Sequence, residues 1–310
     1  MSATPPRAIG HAEFLEDLLS RDVLLSTGVP GVYGKGGQFE DVLQGFDAFL
    51  TRALSGLGAE QLRFPPLMPR RQLEETGYLS SFPHLAGTVF AFEGTEAEAS
   101  LQCEHASAHE DWSEFQQMTD LVLTPAACYP VYPVVAARGP LPPEGVMVET
   151  GASWVFRHEP SGDPARLQIF QMHEVVRIGS AEQVLAFRDE WSERGVALLQ
   201  GLGLDGELDA ASDPFFGRHG RMLAASQREQ ALKVELLVQI AGPEPTAVSS
   251  FNYHRDHFSG IYDLKLADGS DAHTACIAFG NERITLALLS AHGLDLDTWP
   301  SEVRGELWPA

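Results

Sequence analysis

The sequence predicts an α+β fold, a mostly antiparallel sheet flanked by helices, and three observations carry that expectation. Two long strand-like stretches, Val146–His158 and Arg166–Ile178, are joined by a loop of turn formers, Glu159-Pro-Ser-Gly-Asp-Pro164. Farther on, Val234–Ile240, Ala247–Tyr253 and Ile261–Leu266 read as strands, with Ala267-Asp268-Gly269 as a hairpin turn. Helical periodicity gathers toward the two ends of the chain and does not alternate with the strands in βαβ fashion.

Taken in order, His11–Leu25 reads as an amphipathic helix with Phe14, Leu15, Leu18 and Leu19 on one face. The glycine-broken stretch Gly28–Gly37 is a turn, and Phe39–Leu57 is a second helix, its Phe39, Leu43, Phe46, Phe49 and Leu50 recurring at helical spacing. Leu62–Met68 is a short apolar run holding two prolines, which suits an edge strand. Val89–Phe92 and Asp120–Leu123 are further short strands. Ala181–Leu202 is a long helix, Pro214–Gln230 a polar helical insert, Thr274–Ala278 a strand, and Gly280–His292 an apolar helix. Neither a repeat nor a linker breaks the chain, so one catalytic-type domain over residues 1–310 is expected.

Composition narrows the function. The 310 residues are 44% hydrophobic, enough for a substantial core, and carry 21 Lys+Arg against 43 Asp+Glu, a net charge of −22. Such a field opposes a polyphosphate backbone, so general nucleic-acid binding is disfavoured. The longest apolar run, Val131–Ala137, is far shorter than the roughly 20 residues that span a bilayer, and Met1–Gly10 lacks a secretory h-region. Three sparse cysteines argue for reduced thiols and a cytoplasmic location. Cys103 reads as a plain core thiol, and His105 with His109 as residues of a solvent-facing helix. There is no Ser-His-Asp signature, no Gly-Lys-Ser/Thr loop and no dinucleotide glycine pattern.

The chemistry-bearing residues cluster in two places. In Phe156-Arg157-His158-Glu159 followed by Arg166-Leu-Gln-Ile-Phe170, two antiparallel strands can hold a nucleotide between them. Arg157 suits an α-phosphate, where charge grows in a transition state. Glu159, two residues on, shares its face of the strand and can accept from an amine, and Phe170 can stack on a base. Arg-x-Glu alone is more often the mark of an ordinary salt-bridged hairpin. The second cluster is Phe279-Gly280-Asn281-Glu282-Arg283, where a cation sits in the first turn of a helix whose dipole does not favour it. Such an Arg wants an outside partner, a phosphate or a purine face.

Together these pieces resemble motifs 2 and 3 of the class II aminoacyl-tRNA synthetases: Arg-x-Glu, loop, Arg-x-x-x-Phe, then Gly-x-x-Arg opening an apolar helix. The resemblance implies ATP as substrate, with Arg157 on the α-phosphate and the carboxyl being activated, and Glu159 on the adenine amino group or the ATP edge. It further implies Arg166 at the γ-phosphate, Phe170 under adenine and Arg283 over it. Phe39–Leu57 with Leu62–Met68 would be motif 1, which in that family supplies a homodimer interface. Asn281 departs from the usual apolar or small residue of motif 3. Cys128, Glu174 and Cys276 form a Cys/Glu/Cys set that suits Zn²⁺ with an open fourth position, although two cysteines are also simply common core residues.

Archaeal-type seryl-tRNA synthetases use such a zinc, as do their truncated relatives, the amino acid:[carrier protein] ligases. The chain is similar to the latter family from roughly Gly31 to Gly293, through Gly77-Tyr-Leu79 with Ser81-Phe-Pro-His-Leu85, Ala127-Cys-Tyr-Pro130, Ser250-Phe-Asn-Tyr-His254 and Ala272-His-Thr-Ala-Cys276. The resemblance implies activation of a small amino acid, glycine or alanine, by ATP with Mg²⁺, and transfer to the phosphopantetheine thiol of a carrier protein. That partner would dock on the insert Pro214–Glu235, where Arg218, Arg221, Arg228 and Lys233 outnumber Glu229 and Glu235. Lys233, Ser250 and Asn252 are candidates for the amino-acid pocket, whereas His254 and His257 read more readily as ordinary strand-end residues. A start of motif 1 near Phe39 leaves little room for a tRNA-binding domain, so tRNA is disfavoured. Two alternatives stay open: a tRNA synthetase lacking its own tRNA-binding domain, and a catalytically silent ligand-binding paralogue.

Overall fold

The computed structural model describes residues 9–309; the side chains at 218–220, 223, 226 and 229 also fall outside the described residues. After a first helix, His11–Ser20, comes a hairpin, β1 (Leu24–Val29) with β2 (Val32–Lys35). Then come β3 (Glu60–Gln61), β4 (Leu67–Pro69), β5 (Thr88–Phe92) and β6 (Gln116–Leu123). The long pair β7 (Val146–Phe156) and β8 (Ile169–Gly179) follows, then β9 (Gly206–Ala210), β10 (Lys233–Val238), β11 (Thr246–Arg255) and β12 (His273–Gly280). Seven of them form one sheet in the order β3-β7-β8-β12-β11-β10-β9, antiparallel except where β3 meets β7. A three-stranded sheet, β4-β6-β5, lies apart from it.

The faces of the large sheet divide the work. Alternation along β8 sends His173 and Val175 to one side and Glu174 and Val176 to the other. On the first side Val175 and Ile277 join a core built by the helices Gly37–Leu54, Ala181–Gly201 and Asn281–His292, with Phe39, Phe46, Trp191 and Phe251 fully buried. A capping box, Ser180 with Gln183, starts the middle helix, and its Gly195 passes so close to the Phe251 ring that a Cβ would lie 2.7 Å from it. The second side carries Cys128, Tyr132, Val148, Val176, Phe258 and Cys276.

Several expectations need correction. The first helix stops at Ser20 because Asp22 takes a left-handed φ of 55° and Leu24 enters β1. The stretch expected as a turn, Gly28–Gly37, is mostly the β1–β2 hairpin, with Gly28 and Gly31 at φ 83° and 75°. Leu62–Met68 is not one edge strand: Pro65 and Pro66 cannot donate to a ladder, and pairing is confined to β3 before them and β4 after. Ile261–Leu266 is not a strand either. His257–Tyr262 is helical, Asp263 turns at φ 55°, and only Lys265 bridges back, to Asp271. Cys103 is exposed, since the helix Glu96–Ser107 buries no residue. Nor do His105 and His109 share a solvent-facing helix: His105 is half-buried, with Nδ1 2.9 Å from Asp111 O, and exposed His109 lies beyond the helix at a left-handed φ of 58°.

Two buried ionic contacts fix the helices to the sheet. His173 is 1% exposed, with Nδ1 2.8 Å from Asp47 Oδ1 and Nε2 2.9 Å from Glu149 Oε1. Asn281 Nδ2 donates to the same Asp47 oxygen at 3.2 Å. Burial alone would lower the imidazole, but hydrogen bonds to Asp47 and Glu149 overcome it and raise the pKa, so the ring is held protonated. Burial likewise works to raise Asp47, and His173 holds it below the usual carboxylate range. Lys35 Nζ sits 2.6 Å from buried Glu282 Oε1 and 4.5 Å over the Trp154 ring, while the Gln171 amide donates to Glu282 Oε2 at 2.7 Å. The hairpin also props the loop between β7 and β8: Gln168 donates through its backbone to Gly31 O and through its side chain to Pro30 O, both at 2.8 Å.

Gly36 anchors that hairpin against the first helix, and a Cβ there would stand 1.9 Å from the Asp22 carbonyl oxygen. Gly36→Ala should therefore lower the free energy of unfolding by about 1–3 kcal/mol, measured by urea titration. The raised His173 value adds stability that is complete below the unfolded pKa near 6.5 and is lost as pH rises through the folded value. The lowered Asp47 value adds stability above about 3.8 that is lost in acid. Asp47→Asn should thus destabilise by roughly 1–3 kcal/mol at pH 6 and by less at pH 9, read from unfolding curves at the two pH values.

Candidate active site

The second face of the sheet opens into a cavity of about 500 Å³. Its floor follows from strand register. Val176 pairs with Cys276 and Glu174 with Ala278 across β8 and β12, so Glu174 and Cys276 are diagonal neighbours on one face. Cys128 arrives from outside the sheet, in the segment before the short helix Val131–Ala136. The two sulfurs and a Glu174 carboxylate oxygen all lie within 4.8 Å of one another, and all three residues are buried. The Ala127 amide donates to Glu174 Oε1 at 2.8 Å, while Oε2 is buried with no hydrogen-bond partner.

Electrostatics make this corner costly as it stands. Burial, and then the neighbouring Cys276, push the Glu174 carboxyl up to about 8. Of the two thiols, Cys276 holds charge more readily, because Cys128, and then His254 and Asn252, donate toward its sulfur; Cys128 is pushed up by that donation and by burial. Asn252 Nδ2 lies 3.4 Å from Cys276 Sγ and His254 Nε2 3.7 Å. Three acidic donors cannot all ionise in so small a dry space without a cation. Two soft sulfurs, one oxygen and a side open to the cavity fit a tetrahedral divalent ion such as Zn²⁺ with one free position.

Arg157, Phe170 and Arg283 line the same cavity. The Arg157 guanidinium stands 5.7 Å over the Phe170 ring, and its Nε donates to Pro125 O at 3.0 Å. Arg283 is fixed by two backbone carbonyls, Ala165 O at 2.9 Å and Ala247 O at 2.8 Å, and burial lowers its pKa. A planar cation so held presents an edge and a face to a flat or anionic ligand. Glu159 and Arg166 do not reach the wall. The strand ends at Phe156, so the same-face relation expected of Arg157 and Glu159 gives way to a bend, and Glu159 faces half-exposed Arg166 at 3.8 Å at the rim.

Lys233, Ser250 and Asn252 also line the cavity. Lys233 Nζ is bound by Asp213 Oδ1 at 2.6 Å and Glu235 Oε1 at 3.0 Å, so it leaves the basic surface patch in which the sequence reading counted it. Burial works against the ammonium, and the two carboxylates raise its pKa. Arg221 and Arg228 are exposed on the helix Gly217–Glu229; the side chain of Arg218 lies outside the described residues. Sequence reasoning missed Asp213, which carries no local signal, and underrated His254, whose place in Asn252-Tyr-His254 was the available clue. His254 and His257 both line the cavity.

No family model matches the chain. It is 46% identical over 289 residues to amino acid–[acyl-carrier-protein] ligase 1 of Bradyrhizobium diazoefficiens, covering 93% of this chain and 88% of that protein. To ligase 2 of the same organism it is 46% identical over 303 residues, covering 97% and 89%. The type-2 serine–tRNA ligase of Methanopyrus kandleri is 25% identical over 281 residues, and there the chain spans 52% of the relative's length. Among solved structures, the M. kandleri SerRS bound to A. aeolicus tRNASec superposes with a TM-score of 0.83 at 22% identity, over 98% of this chain and 62% of the other. The fold is that of the class II aminoacyl-tRNA synthetases.

Proposed function

The chain belongs to the amino acid–[acyl-carrier-protein] ligase family of enzymes, and on that premise we propose that it activates a small amino acid, glycine or alanine, and hands it to the phosphopantetheine thiol of a carrier protein. The observation that carries this reading is the meeting of Cys128, Glu174 and Cys276 with Arg157 and Arg283 in one cavity. In the first step a carboxylate oxygen of the amino acid attacks the α-phosphorus of ATP, which arrives with Mg²⁺ on its phosphates, and pyrophosphate leaves. In the second the carrier's thiol attacks the acyl carbon, a thioester forms and AMP departs.

Each residue then has a role. Arg157 neutralises charge gathering on the α-phosphate and orients the carboxylate, the kind of fixed electrostatic help that needs no protein nucleophile. Phe170 lies under the adenine and Arg283 over it. Glu159 and Arg166, outside the cavity wall, are assigned the adenine edge and the γ-phosphate end. Zn²⁺ held by Cys128, Glu174 and Cys276 would take the free amine of the amino acid in its open position. Lys233, Ser250 and Asn252 bound the space left for the side chain. The exposed Arg221 and Arg228, with Arg218, receive an acidic carrier protein. The enzyme works as a homodimer through the Gly37–Leu54 helix, in the cytoplasm where its thiols stay reduced.

The decisive comparison offers one labelled amino acid, with ATP, to holo-carrier protein and to purified tRNA. Thioester formation on the carrier, absent with apo-carrier, is expected; preferential charging of tRNA would overturn the reading. Cys128→Ser should strip zinc, measured by atomic absorption, and cut amino-acid-dependent ATP–pyrophosphate exchange by about 100-fold or more. Full exchange in a zinc-free variant would remove the metal from the mechanism.

A further inference from the structure

The helix Gly217–Glu229 has an outer and an inner side. Arg221 and Arg228 are exposed on the outside. Gln227, the residue before Arg228, turns inward and grips Asp213 at two points. Its amide nitrogen donates to Asp213 Oδ2 at 2.8 Å, and its amide oxygen accepts from the Asp213 backbone N–H at 2.7 Å. The remaining carboxylate oxygen, Oδ1, accepts from Lys233 Nζ at 2.6 Å. Lys233 stands opposite Asn252 in the β10–β11 register and lines the cavity beside Ser250. A continuous chain of hydrogen bonds therefore runs from the inserted helix to an ammonium in the cavity wall.

The clamp does more than fasten the helix. Asp213 lies in an irregular stretch between β9 and the helix, and 34% of its side chain is exposed. Nothing in regular secondary structure fixes its torsions, and water competes for its oxygens. By occupying one oxygen and the backbone N–H, Gln227 leaves Asp213 a single orientation, with Oδ1 aimed at Lys233. Without the clamp the carboxylate is free to turn to solvent. Lys233 would then keep only Glu235, on its own strand, and its ammonium would move along the wall. Displacements of that kind in a site that binds a very small ligand fall directly on affinity.

Resting on the amino-acid-activating function proposed above, we propose that Gln227 is a positioning residue: acting through Asp213, it sets where Lys233 stands in the amino-acid pocket, and so makes the inserted helix part of the specificity apparatus as well as a landing surface. Gln227 lines the cavity beside Asp213, but both of its hydrogen bonds go to that residue, and its effect is exerted through Asp213 on binding of the amino acid.

ATP–pyrophosphate exchange without carrier protein tests this, using wild type, Gln227→Ala, Lys233→Met and the double variant. Gln227→Ala should raise the KM for the amino acid about tenfold, with kcat and the KM for ATP within about twofold. In the Lys233→Met background the same change should add nothing further, since the two act through one contact. A purely structural role would lower Tm and leave the amino-acid KM unmoved; that result, or full additivity in the double variant, overturns the inference. Should Gln227→Ala not fold, Gln227→Glu replaces it. That side chain keeps the acceptor for the Asp213 N–H but sets carboxylate against carboxylate, and the same rise in KM is required. Labelling gives a readout apart from catalysis: Lys233 should be acylated by an amine-selective reagent faster in Gln227→Ala than in wild type, read by peptide mass spectrometry. Equal rates count against the clamp. Wild-type protein that exchanges with no amino acid would sink the function itself and this inference with it, whereas active wild type beside a Gln227→Ala of unchanged KM sinks the inference alone.

Discussion

Two thiols and a carboxyl, groups that repel each other once ionised, share a dry corner less than 5 Å across, and much of the molecule serves to keep them there. The β8–β12 register sets Glu174 and Cys276 diagonally on one face. The Ala127 amide locks one Glu174 oxygen and in doing so fixes the backbone next to Cys128. Asn252 and His254 reach Cys276 from the neighbouring strand. Such convergence is unfavourable for the bare protein, and its persistence in a well-packed core is the physical reason to connect it with a ligand.

The two faces of the sheet bear different loads. The helices Gly37–Leu54, Ala181–Gly201 and Asn281–His292 cover one face and provide much of the apolar core, while the other face is given over to the cavity and smaller elements. Residues adjacent in sequence serve opposite ends: His173 joins the helices through Asp47, and Glu174 faces the ligand side. The alternation of a strand is enough to separate support from chemistry.

Much of this was legible in the sequence because it is local. The long strands β7 and β8 with their turn-forming loop, the amphipathic helix through Phe39–Leu50, and the apolar helix after Gly280 all follow from periodicity and turn chemistry. Arg157, Phe170 and Arg283 were found because their spacing along the chain is itself the pattern. The failures share a cause as well. Ile261–Leu266 has the residues of a strand, but the helix His257–Tyr262 takes its start and its pairing shrinks to a bridge between Lys265 and Asp271. Asp213 acquires its partners Gln227 and Lys233 only when β9 and β10 come together, and no local signal marks it. Lys233 was read both as a pocket candidate and as a surface cation beside Arg228, and only the second reading fails, since the strand it starts carries it into the cavity wall. Cys103 sits among residues of mixed character, on a helix that packs too shallowly to bury any residue.

Asn281, Glu282 and Arg283 occupy a single helical turn, yet they reach three separate parts of the molecule: Asp47 on a long helix, Lys35 on the first hairpin, and the cavity. The Arg283 end of the cavity is thereby bolted to the chassis, and a substitution in that turn also perturbs the frame. Asp213 and Gln227 sit instead in and beside an inserted segment outside the main core. One end of the cavity is therefore framed by the core and the other by a peripheral segment, so the second can be reshaped with far less disturbance to the rest of the molecule.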